Sequence, residues 1–109
     1  MKRIEAVIAH DSIQDAEKAL IRSGIEGLTL TSVYSHGFRG SELTRSRRDL
    51  ISGRPSCKLE VLVSNRELSR VLAALVPFVD QGTRMPICVM DLEVTIRIRT
   101  GECEEAALR

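Results

Sequence analysis

The sequence predicts an α+β sandwich, a double strand–helix–strand unit with both helices on one face of an antiparallel sheet. Three observations carry this. Short runs that alternate apolar and polar residues recur along the chain. Two other stretches space their apolar residues as a helix does. The segments follow one another as strand, helix, strand, long loop, strand, helix, strand. One domain spanning 1–109 is the natural reading of this length, with 43% of residues hydrophobic and 28% charged.

Residues 2–9 open the pattern, with Ile4, Ala6 and Ile8 on one side of a strand and Arg3, Glu5 and Val7 on the other. A first helix follows over about 12–23. Ser12 and Asp15 have the spacing of a capping box, Ile13, Ala16 and Leu20 make the stripe, and Gly24 stands at the C-cap. A second strand covers about 27–36. Residues 37–55, which hold Gly37, Gly40, Gly53, Pro55 and several serines, show no sustained apolar period. A loop longer than about 12–15 residues in so small a domain is generally functional or disordered, and a long flexible loop is expected here. The pattern resumes as a strand over 57–63. Behind the Ser64-x-x-Glu67 capping box, Leu68, Val71, Leu72, Leu75, Val76 and Val79 form the clearest helix. Strand-like residues run through 87–99, and the acidic, small-residue tail over 101–109 is expected to be mobile. The whole corresponds to a ferredoxin-like double βαβ sandwich.

Composition narrows the function. The net charge of +1 makes no global case for nucleic acid or a membrane surface. The basic residues are concentrated, with five arginines against Glu42 and Asp49 between Arg39 and Arg54. Tyr34, Phe38 and Phe78 are the only aromatic residues, so the core is built from Val, Ile, Leu and Ala. A core this small gains from association with other copies. The three cysteines, Cys57, Cys88 and Cys103, are widely spaced with no Cys-x-x-Cys pair, which indicates neither zinc nor a disulfide framework. No apolar run approaches the roughly 20 residues of a membrane span, so a cytoplasmic chain, not embedded in a membrane, is expected.

Candidate chemistry lies in three places. Arg97 and Arg99 are two residues apart on an expected strand, which points both to one face about 6.5–7 Å apart. Two guanidinium groups so placed suit neighbouring phosphates of one nucleotide. They equally suit an exposed charged face paired to Glu93 or another strand. Gly82-Thr83-Arg84 is a short turn whose amides can cradle an anion, or a plain helix-to-strand connection. Ser35-His36-Gly37-Phe38-Arg39 offers backbone freedom, an imidazole and a cation at the mouth of the loop, or simply a solvated segment. Nothing here suggests nucleophilic catalysis, and the paired carboxylates Glu104 and Glu105 sit in the tail, where nothing desolvates them.

The chain resembles the P-II and P-II-like signalling family in its opening Met1–Ile8, in Gly24–Val33, in Lys58–Val63 and in the run Ile96-Arg97-Ile98-Arg99-Thr100-Gly101-Glu102. The resemblance implies a homotrimer that binds an adenine nucleotide between subunits, uses no catalytic cofactor and is not an enzyme. It places Leu28 and Thr29 at the adenine, Glu60 and Leu62 along adenine and ribose, and Gly37 over the phosphates. Gly82, Thr83 and Arg84 form a second phosphate loop, and Arg97 and Arg99 reach phosphates across a subunit boundary.

The departures shape the ligand. The second phosphate loop reads Gln81–Pro86 without a lysine, and the long loop holds no tyrosine. ADP or AMP is therefore expected ahead of ATP. These departures resemble the carboxysome-associated and bicarbonate-transport branches. They imply bicarbonate or another small anion at Ser35, His36, Gly37 and Arg39, with an enzyme, a transporter or a carboxysome component as the regulated partner in inorganic carbon metabolism. The alternatives are an orthodox nitrogen regulator sensing ATP and 2-oxoglutarate, an RNA-binding module on the same fold, and a structural trimer. The RNA reading lacks the sheet aromatics on which bases stack, and no role in binding nucleic acid is expected.

Overall fold

A computed structural model describes residues 1–35, 54–79 and 86–108. Among them, β1 (Lys2–Ala9), β2 (Thr29–Ser35), β3 (Arg54–Val63) and β4 (Cys88–Asp91) form one sheet in the order β2-β3-β1-β4. Every neighbouring pair is antiparallel. Two helices, α1 (Ile13–Arg22) and α2 (Leu68–Leu75), cross between the strands. This is the ferredoxin-like α+β arrangement expected from the periodicity.

The core lies between the helices and one face of the sheet. Ile4, Ala6 and Ile8 of β1 meet Leu59, Val61 and Val63 of β3 there, under Ala16 and Leu20 of α1 and Val71 and Leu75 of α2. Alternate strand residues point to the other face, on which none of the described helices packs. The register places Arg3 opposite Leu62 and Glu5 opposite Glu60 on that open face. Arg3 pairs with Glu5 at 3.4 Å and Lys58 with Glu60 at 3.3 Å, which offsets the facing carboxylates.

Helix ends follow local chemistry. Gly24, at φ +89°, lets the Gly24 amide donate to Ile21 O and the Ile25 amide to Leu20 O, closing α1 in a left-handed turn. Ser64 and Glu67 form the expected reciprocal box. The Glu67 amide donates to Ser64 Oγ at 3.3 Å, and the Ser64 amide donates to Glu67 Oε2 at 3.1 Å.

Four expectations are corrected. Ser12 makes no side-chain cap bond, because it belongs to a 3-10 turn over His10–Ser12 that leads into α1. The second helix does not reach Val79. Pro77 cannot donate an amide and crowds the preceding turn, so Val76–Phe78 is a 3-10 turn and Val79 bridges to Ile8. β3 begins at Arg54 rather than 57, taking the end of the presumed loop into the sheet, where Pro55 faces Tyr34. The last strand stops at Asp91 instead of 99. There the ladder ends, with Asp91 opposite Lys2 and the Leu92 amide on Met1 O.

Beyond Leu92 the chain turns back on itself. The Gly101 amide donates to Arg97 O and the Arg97 amide to Glu102 O, both at 2.7 Å, with Gly101 at φ +74°. Ile96 bridges to Cys103, and the tail expected to be mobile carries a 3-10 helix over Glu104–Leu108. Val94, Ile96 and Ile98 stay 59%, 59% and 96% exposed, so the alternation that reads as a strand does not join the four-stranded sheet among the described residues.

Candidate functional site

The entry to β2, the open face of β3 and the turned-back C-terminal segment enclose a groove of about 400 Å³. Ile25 anchors the approach to β2 in the core, and Glu26, Gly27, Leu28 and Thr29 follow it along one wall. Thr29 stands opposite Glu60 in the β2–β3 register, so hydroxyl and carboxylate face the groove together. Leu62, two residues along the same face, adds an apolar surface and is 43% exposed. Arg97 comes from the far side with Ala107 and Leu108, and its guanidinium Nη2 donates to Ala107 O at 3.2 Å.

The groove combines an apolar wall, a carboxylate held by Lys58 and one guanidinium. Such a set can stack a flat ring against Leu28 and Leu62, take hydrogen bonds from an amino or hydroxyl group at Glu60, and meet an anion with Arg97. Nothing in it is arranged as a nucleophile with a base.

Five residues singled out in the sequence, Leu28, Thr29, Glu60, Leu62 and Arg97, come together here from three separate stretches. Arg99 does not. It falls in the turn after Arg97, exposed and away from the groove lining, because the expected shared strand face does not extend that far. Arg97 lines the groove formed with β2 and β3 of its own chain. Ser35 closes β2 opposite Arg54, with its Oγ 2.9 Å from Ser56 Oγ. His36, Gly37, Arg39, Gly82, Thr83 and Arg84 lie outside the described residues.

Sequence reasoning missed Glu26, Gly27, Ala107 and Leu108. The first two adjoin the β2 motif and were within reach of it. The last two sit in a tail whose docking depends on bonds that no local pattern announces. A second concavity at the loop end of the sheet is lined by Ala9, His10, Asp11 and Pro55, and His10 Nδ1 there is 3.8 Å from Cys57 Sγ. Cys57 is buried and Cys88 and Cys103 are exposed, all as free thiols. Among the described residues, no helix is long and apolar enough to cross a membrane.

The family model described as nitrogen regulatory protein P-II matches residues 1–102. The nitrogen regulatory protein P-II of Pasteurella multocida is 33% identical over 112 residues, covering 99% of this chain and all of that protein. The nitrogen regulatory protein GlnK of Escherichia coli is 34% identical over 115 residues, again with 99% and 100% coverage. The P-II protein of Haemophilus influenzae is 34% identical over 112 residues at the same coverage. The chain belongs to the P-II nitrogen regulatory family, a family of signalling regulators rather than enzymes.

Proposed function

We propose that this chain is an adenylate-responsive signal-transduction protein, working as a homotrimer with one nucleotide in each groove. The observation that carries the reading is the convergence of Leu28, Thr29, Glu60, Leu62 and Arg97 on one groove of about 400 Å³. The volume falls within the roughly 300–1,000 Å³ usual for small-ligand sites. Adenine lies against Leu28 and Leu62, Thr29 and Glu60 hydrogen-bond the base and ribose, and Arg97 takes a phosphate. Gly37, Gly82, Thr83 and Arg84 supply further phosphate contacts, across a subunit boundary from Arg97. ADP or AMP is preferred over ATP, since the Gln81–Pro86 segment has no lysine for a terminal phosphate.

Nucleotide then sets which conformation the segment between β2 and β3 offers to a partner protein, and it does so only through its preference for one of those conformations. The loop's Phe38-Arg39-Gly40 sequence, without a tyrosine, supports bicarbonate as the small co-effector and inorganic carbon metabolism as the setting. An RNA-binding reading is disfavoured because the helix-free face of the described strands carries no aromatic ring.

Calorimetric titration tests the central step. ADP is expected to bind saturably. Arg97→Ala is expected to weaken it about tenfold or more, given about 1.5–3 kcal/mol for a hydrogen bond to a charged group. Equal affinity in the two proteins would remove the phosphate assignment. Repeating the titration with bicarbonate present should tighten ADP binding if the anion occupies the loop base, and an unchanged affinity would remove the co-effector.

A further inference from the structure

One wall of the groove is the C-terminal end of its own chain. The Arg97 guanidinium, the group that would meet a phosphate, donates from Nη2 to Ala107 O, and Ala107 and Leu108 form part of the groove wall. The covering segment is tied down locally. The Glu104 amide donates to Thr95 O at 2.8 Å, and Thr95 Oγ1 donates to Glu104 O at 2.7 Å. Glu104 holds φ +58°, a left-handed conformation that residues with a Cβ disfavour. The clasp is therefore closed by two hydrogen bonds between Glu104 and Thr95 and one from Arg97 to Ala107, across a residue at positive φ.

We propose that residues 104–108 are an internal competitor of the groove ligand. The segment lines the groove and holds Arg97 until an adenine nucleotide displaces it and frees the guanidinium for phosphate. This rests on the nucleotide reading given above. Ligand binding and tail release are then one equilibrium, and the groove's apparent affinity is its intrinsic affinity scaled by the fraction of time the tail is away. Release also uncovers Ala107 and Leu108, the two tail residues that are half-buried while the clasp is closed.

ADP titration of the full chain, of a chain ending at Cys103 and of full-length Thr95→Val tests this. The shortened chain is expected to bind ADP about threefold or more tightly than the full chain, because the closed state no longer competes. Thr95→Val, which removes one of the closing bonds and lies outside the groove lining, is expected to fall between the two. If the full chain binds ADP and loses it in Arg97→Ala, while the shortened chain binds no more tightly, the competitor is overturned and the nucleotide site stands. If the shortened chain does not fold, Thr95→Val alone decides, and an unchanged affinity overturns the competitor. Absence of ADP binding in every chain overturns both.

Discussion

Arg97 connects sequence to function most directly. Its position in the groove depends on the turn at 98–101, where Gly101 supplies a positive φ that brings the chain back. Arg99, two residues on and exposed, is expected to matter less: Arg99→Ala should weaken ADP binding by a smaller factor than Arg97→Ala in the same titration. An equal or larger loss would mean that nucleotide rebuilds the turn into the shared strand face. In the core, Leu59 is fully buried between the helices and β1. Leu59→Ala removes apolar contacts and leaves a cavity, so a cost of about 2–5 kcal/mol in denaturant unfolding is expected. Gly24→Ala tests backbone instead of packing. An added Cβ meets only the end of the Arg70 side chain at 3.7 Å, so any loss is the cost of φ +89°, about 1 kcal/mol.

Elements whose ends are written in local chemistry were legible in the sequence. β1 was read at its full extent, because strict alternation over 2–9 admits one register against a buried face. The Ser64–Glu67 box and the Gly24 stop were legible because each needs only residues within one turn. The same kind of pattern failed at Ser12, where a 3-10 turn displaced the cap, and at Pro77, whose helix-ending effect outweighs the apolar spacing of Val76 and Val79. Strand propensity misled over 92–99 because propensity has no knowledge of a neighbour. Much of the site was legible, since Thr29, Glu60 and Leu62 lie on strands whose faces follow from alternation. The docking of Ala107 and Leu108 was not, since it rests on backbone bonds to Thr95 and Arg97. At this scale Ser64→Ala is expected to cost about 0.5–2 kcal/mol by loss of the cap. β4 has a weaker tie: Lys2 hydrogen-bonds the exposed Asp91 carboxylate and holds its pKa below the usual carboxylate value, with charge attraction to Lys2 adding to that bond. The lowered pKa means this contact stabilises the fold above the ordinary carboxylate value and is lost as pH falls through the depressed one. An NMR titration of Asp91 is expected to move toward the ordinary value in Lys2→Ala.

For the whole molecule, the open questions of the single chain share one answer. Among the described residues, the sheet face opposite the helices carries Leu62 and the Arg3 and Lys58 ion pairs, and Val94, Ile96 and Ile98 are exposed on a segment with strand alternation outside the four-stranded sheet. Assembly with further copies covers such surfaces, and sedimentation velocity is expected to give three times the 12.1 kDa chain mass. Ile98→Asp, at the most exposed of these positions, should shift that distribution toward smaller species. A single-chain mass for the unaltered protein would remove the trimer. The most direct measurement of the central claim is a crystal structure grown with ADP. The account expects adenine between Leu28 and Leu62, Thr29 and Glu60 in hydrogen bonds to base and ribose, and Arg97 on a phosphate with Ala107 O released. A nucleotide bound elsewhere, or Arg97 still on Ala107 O at saturating ADP, would contradict it.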